Sequence, residues 1–388
     1  MAVKKKPAQV VAAAVVAVLI VAVFAIASGA LSPSSSGSSS DEPSTAATSS
    51  AAAETKTVTD MVGRQVTVPA SPRHVAAIDP FAAQVCVMCG AGEDVFGVPG
   101  GVMSSALLQR IYPQLSSVER LTGDSINVEA LAAGQVDVAF VKESSYEKAD
   151  EMAKLDQVGI PYVVIGYETV DEQVEAIELV GSVIGGNAQD RAAALADYYR
   201  KTLELVDERT AKISQDERLS VYHTINAELS CDGAGSLGED WIRRSGAVSV
   251  SATEPATGGQ GDYYATLEQV YNWNPDAIIC SSADTAREIA KDGRWKGMAA
   301  VASGQVYTLP VSVSRWGQRG DPETFLAMLW LGKTLYPQYY EDIDLKQTVT
   351  EYYRDIIGLE VDAATWQQIL AGEGLREQGA GQNSSNAK

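Results

Sequence analysis

Histidine is almost missing from this sequence, with two in 388 residues. A protein cage for a bare soft or borderline metal ion wants several His or Cys ligands together, so such a cage is disfavoured and His74 and His223 read as structural. Cysteine is nearly as scarce, at four. Cys86 and Cys89 fall inside an apolar, helix-like run and not at a helix start, where a redox pair sits. Cys231 and Cys280 leave a single disulfide open. Positive charge is short as well: 30 Lys and Arg against 50 Asp and Glu give a net charge of -20. That balance disfavours nucleic acid and anionic lipid surfaces as partners. Neither Gly-x-Ser-x-Gly nor His-Glu-x-x-His occurs, and only His223 could serve as a general base. A hydrolase is therefore unsupported, no catalytic residue is assigned, and no resident cofactor is expected.

One long apolar run is present. Lys4-Lys-Lys6 precedes an uncharged stretch from Val10 to Ala27, so residues 1–30 read as an export signal or a signal anchor. No cysteine lies near it, which excludes lipid attachment there. The lysines would stay in the cytoplasm and the remainder would lie outside, tethered or released by cleavage. Residues 31–55 are Ser/Ala-rich and read as a disordered linker, and residues 373–388 as a disordered tail.

The part between says one thing twice. Asn127-Val-Glu-Ala-Leu-Ala-Ala-Gly-Gln-Val-Asp-Val-Ala-Phe-Val141 returns as Thr266-Leu-Glu-Gln-Val-Tyr-Asn-Trp-Asn-Pro-Asp-Ala-Ile-Ile-Cys280. Each copy is a capped amphipathic helix, a turn, an Asp and an apolar strand. A repeated helix-to-strand unit implies two similar α/β lobes. The spacing assigns residues 56–170 to an N-terminal lobe, 171–215 to a helical connector broken once at Gly185-Gly-Asn187, and 216–372 to a C-terminal lobe. Thr57 to Pro69 alternates around Val62-Gly63 and reads as a hairpin. Short apolar strands are expected at 72–79, 95–99, 136–141 and 162–165, then at 219–225, 248–251, 277–280 and 306–310. The fold class is α/β: two Rossmann-like lobes with parallel sheets joined by one long helix.

These pieces together resemble the extracytoplasmic substrate-binding proteins of ATP-driven importers for ferric siderophores, cobalamin and haem. The resemblance rests on Asp60-Met-Val-Gly-Arg-Gln-Val-Thr-Val-Pro-Ala-Ser-Pro-Arg-His-Val75, both repeats, Trp295-Lys-Gly-Met-Ala-Ala-Val-Ala-Ser-Gly-Gln-Val-Tyr307 and Leu326-Ala-Met-Leu-Trp-Leu-Gly-Lys-Thr-Leu-Tyr-Pro337. The last of these also resembles a branch that includes molybdate and tungstate binders. The resemblance implies a monomer that binds a metal complex, a ferric siderophore before cobalamin, haem or an oxyanion. It would deliver that cargo to an ABC permease dimer with ATPase subunits, without chemistry on it. It also implies docking through one acid on each lobe, Glu129 on the first and Glu239 or Asp240 on the second. Acids in a first helical turn also stabilise the helix dipole with no partner at all.

Ligands of open α/β sheets sit beyond the carboxyl ends of the strands. In the second lobe, Ser312-Val-Ser-Arg-Trp-Gly-Gln-Arg319 is the most suggestive such segment. Arg315 and Arg319 suit carboxylate, hydroxamate-type or oxyanion groups, and Trp316 suits a flat chelator. In the first lobe Lys142, Tyr146 and Tyr167 are the candidates. Gly233-Ala-Gly-Ser-Leu-Gly238 imitates a dinucleotide loop, with Glu254 a little early for the acid such a site needs. An extracytoplasmic oxidoreductase is accordingly the remote alternative. Otherwise the loop is a turn that lets the backbone face the cleft.

Overall fold

The computed structural model describes residues 54–123, 125–253, 257–259, 262–373 and 375. The apolar segment Val10 to Ala27, the linker up to residue 53, Glu254 and nearly all of the tail lie outside them. The first elements form the expected hairpin. β1 (Thr55–Thr59) pairs antiparallel with β2 (Gln65–Pro69), with Thr57 opposite Thr67. Asp60 closes the turn by accepting the Arg64 amide at 2.9 Å and the Arg64 guanidinium at 2.7 Å.

The first lobe is built on β3 (Val75–Ala77), β4 (Val95–Pro99), β5 (Glu119–Leu121), β6 (Val138–Lys142) and β7 (Tyr162–Ile165). All neighbours are parallel, in the order β5-β4-β3-β6-β7. The chain therefore reverses its direction of travel between β3 and β6, where such a sheet opens a crevice for a ligand.

The second lobe holds β8 (Ser220–Thr224), β9 (Ser230–Cys231), β10 (Val248–Ser249), β11 (Thr257–Gly259), β12 (Asp262–Tyr264), β13 (Ala277–Cys280) and β14 (Val306–Thr308). β10, β8, β13 and β14 are parallel, as expected. β9, β12 and β11 extend this core as antiparallel strands. They are two or three residues long, too short to leave a periodic signature in the sequence.

The sequence repeat has a physical reason. Asn127 and Thr266 cap the two short helices by accepting the Ala130 and Gln269 amides. Asp137 then accepts the amides of Arg73 and His74 at 2.7 and 2.9 Å, just before β3. Asp276 accepts the amide and hydroxyl of Ser220, the first residue of β8. Each Asp ties the start of its own strand to the start of the strand beside it.

The connector is two helices. Val170–Ile184 starts on a capping box of Thr169 and Glu172 and stops at Gly185, whose φ is +82°. The chain turns back into Gly186–Thr210, which packs on its predecessor so closely that a Cβ on Gly181 would lie 2.4 Å from that of Ala192. At about 1.5 Å per residue this second helix is roughly 37 Å long and is the long helix joining the lobes. Its Arg191 donates to Met88 O of the first lobe, and its Arg209 pairs with Asp342 of the second. The chain end returns to the first lobe, where the Ala106 amide donates to Leu375 O.

All four cysteines are buried and free. Cys231 and Cys280 both register on Thr224, from opposite sides of β8. Two strand spacings of about 4.8 Å hold them beyond the roughly 7 Å that a disulfide spans, so this fold does not join them. Burial pushes the Cys89 thiol up to about 12 and raises that of Cys86, so neither is a thiolate at neutral pH.

Candidate functional site

The crevice at the β3–β6 reversal is real. Asp79, Pro80, Lys142, Glu143, Ser144, Ile165, Gly166 and Tyr167 line a chamber of about 180 Å³, and the second lobe closes it with Arg319 and Gly320. Asp79 caps helix Pro80–Met88 by accepting the Ala82 amide at 2.7 Å. Burial pushes its carboxyl up to about 6, against the pull of that amide and of Lys142 and Arg319. An outer chamber of about 380 Å³ adjoins it. Glu143, Ser144, Glu147 and Glu168 line one side, and Gly235, Ser236, Tyr263 and Arg319 the other. The Gly-rich turn thus faces the cleft, as the sequence suggested, and Ser236 caps the helix Leu237–Arg244 behind it.

Arg319 belongs to both chambers and forms an ion pair with Glu168 of the first lobe. Burial works against its charge, and the Glu168 carboxylate more than restores it. Lys142 is exposed on the inner chamber's wall. Tyr167 lines the same chamber but is buried, with its ring 4.8 Å from that of Phe81 and its hydroxyl accepting the Gly320 amide at 2.9 Å.

Arg315 lines neither chamber; it sits in the second lobe, beyond β8 and β13. Its Nη1 donates to Asn226 Oδ1 at 3.1 Å, and the Asn226 amide donates to Ser281 Oγ at 2.9 Å. Ser281 follows β13 directly in the chain, and Asn226 comes one residue further on from the end of β8. Among the described residues no carboxylate pairs with Arg315, and burial lowers its pKa. A half-buried guanidinium without a counter-charge gains from an anion that meets it.

Two expected ligand residues are elsewhere. Trp316 is wholly buried and its Nε1 donates to Ser312 Oγ at 2.7 Å, so its ring belongs to the core and not to the cleft. Tyr146 lies outside both chambers, with the Arg64 guanidinium 4.7 Å from its ring centre. The residues that sequence reasoning passed over are Glu143, Glu168 and Tyr263. Only the position of Glu143 at a strand end marked it beforehand.

The candidate docking acids also separate. Glu129 is exposed in the first turn of helix Val128–Ala133. Glu239 is partly exposed beside Arg243. Asp240 is buried: one oxygen accepts the Val170 amide at 3.0 Å and the other takes Arg243. That geometry makes Asp240 an internal tie.

Comparison with known proteins agrees with this architecture. Residues 75–313 match the family described as periplasmic binding protein. The molybdate-binding protein MolA of Haemophilus influenzae is 26% identical over 325 residues, covering 77% of this chain and 90% of that protein. An uncharacterized ABC transporter substrate-binding lipoprotein of Bacillus subtilis, YvrC, is 24% identical, covering 74% and 87%. The solved structure of MolA with molybdate superposes with a TM-score of 0.70 at 24% identity, covering 79% of this chain and 99% of that one. A periplasmic solute binding protein of Veillonella parvula gives 0.69 at 22% identity, covering 82% and 97%.

Proposed function

The chain belongs to the periplasmic binding protein family, and from that premise we propose that its cargo is a small oxyanion of the molybdate or tungstate class. It is an extracytoplasmic solute-binding protein of an ABC transporter. The observation that carries the finer reading is Arg315, a half-buried cation at the carboxyl ends of β8 and β13 with no carboxylate against it among the described residues. Arg319 and Lys142 supply further positive charge on the inner chamber. The inner chamber, about 180 Å³, lies below the range of roughly 300–1,000 Å³ usual for organic ligands. With Trp316 in the core, the flat surface that favoured a ferric siderophore is gone. MolA, a molybdate-binding protein, supports the same class.

A compact metal chelate is the second reading. The outer chamber of about 380 Å³ favours it, with Tyr263 and the acids Glu143, Glu147 and Glu168 on its walls. In either case Glu129 and Glu239 are the acids proposed to meet the permease, one on each lobe.

Thermal shift and calorimetry on the full-length chain test this. The panel is molybdate, tungstate and sulfate against ferric hydroxamate and catecholate siderophores, cobalamin and haem. A ligand at a hundredfold excess over its dissociation constant stabilises by about 2.7 kcal/mol. Molybdate or tungstate is expected to bind, and Arg315→Ala to weaken that binding roughly tenfold to a hundredfold, the worth of a charge-assisted hydrogen bond. Binding of a chelate alone would replace the oxyanion reading with the second. Oxyanion binding that Arg315→Ala leaves intact would sink the site assignment.

A further inference from the structure

The loop that carries both arginines is held from below by two buried acids. It runs from Ser312 to Asp321 and bends at Gly317 and Gly320, whose φ values are +74° and +93°. Asp321 is fully buried. Its Oδ2 accepts the Gly317 amide at 2.9 Å and its Oδ1 accepts the Glu323 amide at 3.2 Å. Glu323 is fully buried too. Its Oε2 accepts the Ser312 hydroxyl and, at 2.9 Å, the Tyr353 hydroxyl. Ser312 Oγ in turn accepts Trp316 Nε1. The loop is thus pinned at its start, at Trp316 and at Gly317, close to Arg315 on either side.

The first lobe and the connector grip the far end of the same loop. Gln84 Nε2 donates to Gly320 O, the Gly320 amide donates to Tyr167 Oη at 2.9 Å, and Gln173 Nε2 donates to Asp321 O at 3.0 Å. Gln173 is itself fixed by the Tyr199 hydroxyl at 2.7 Å.

Burying two carboxyl groups is costly, and apolar side chains of similar volume would fill the space as well or better. What each acid adds is an acceptor that ties the loop to its surroundings: Asp321 joins Gly317 to the Glu323 amide with its two oxygens, and Glu323 joins Ser312 to Tyr353 through Oε2. A guanidinium must meet an anion in a defined orientation, and a loop ordered beforehand spares the ligand the cost of ordering it.

Building on the oxyanion reading, we propose that Asp321 and Glu323 are positioning residues that brace loop 312–321 and so hold Arg315 and Arg319 in ligand-ready orientation. They touch no ligand themselves.

The test is a double-mutant cycle on the full-length chain with molybdate as the probe. Asp321→Asn keeps the volume but turns one acceptor into an NH₂ donor, which cannot serve both backbone amides. It is expected to weaken molybdate binding at least tenfold in the wild-type background and much less in the Arg315→Ala background, where only Arg319 remains to be misplaced. A residue that only stabilises the fold would give the same loss in both backgrounds, and that result overturns the proposal. Glu323→Leu should behave like Asp321→Asn, and Glu323→Gln, which keeps an acceptor for both hydroxyls, should restore binding. A second readout needs no ligand: the rate at which phenylglyoxal modifies Arg315, followed by mass spectrometry. Asp321→Asn is expected to raise that rate several-fold, with β8 and β13 amides keeping their exchange protection. An unchanged rate overturns the brace. Wild-type protein that ignores molybdate refutes the oxyanion reading instead, and the modification rate still decides the brace.

Discussion

Arg319 of the second lobe and Glu168 of the first are ion-paired where the inner and outer chambers meet. A cargo of the proposed oxyanion class would compete with Glu168 for Arg319. Both side chains are about half exposed, and such pairs contribute about 1 kcal/mol at most. Glu168→Gln is expected to tighten oxyanion binding up to about fivefold at low salt, with the gain fading as salt screens the mouth. Isothermal titration at two ionic strengths reads this directly. Weaker binding in Glu168→Gln would mean that the acid recruits a cationic cargo.

Trp316 belongs to the core, so its replacement acts on stability before binding. Trp316→Ala is expected to lose roughly 3–5 kcal/mol, the usual range for emptying a buried aromatic site. Trp316→Phe loses mainly the bond to Ser312 and should cost about 1 kcal/mol. Chemical denaturation measures both. A tenfold drop in affinity for Trp316→Phe at unchanged stability would return the ring to the cleft.

Glu239 and Asp240 are adjacent and do different things. Asp240→Ala leaves the Val170 amide and Arg243 without their partner and should destabilise by about 2–3 kcal/mol. Glu239→Ala should leave stability within about 0.5 kcal/mol and reduce transport in membranes carrying the permease. Full transport with Glu129→Ala and Glu239→Ala combined would remove both from the docking surface.

Asp79 gives a pH signature. Its pKa in the folded protein, about 6, lies above its ordinary value of 3.8, so the folded state holds the proton more tightly. Its contribution to stability is full below about pH 4 and is lost as pH rises through about 6. Asp79→Asn can still cap helix Pro80–Met88 and cannot ionise. The variant should gain on the parent from about pH 4 to pH 7, by up to roughly 3 kcal/mol. Denaturation curves across that window follow the difference, and a constant difference would mean that Asp79 is not desolvated.

The chain's local code is legible because it works between residues a few positions apart. Caps at Asn127 and Thr266, the break at Gly185, the hairpin turn at Gly63 and the β7 and β13 strands were all readable. So were the repeat and the loop with two arginines, and with them the family. Which side chains enter the cleft was not. Trp316 is claimed by Ser312 and, through it, by Glu323 and Tyr353. Tyr146 is claimed by Arg64, and Asp240 by Val170. Arg319 finds its counter-charge about 150 residues earlier, while Arg315 finds none among the described residues. Each of these outcomes is a competition between burial and pairing with partners distant in the chain. Periodicity and capping carry no information about such partners, so the sequence set the two lobes and the address of the cleft, and only the tertiary packing chose its charges.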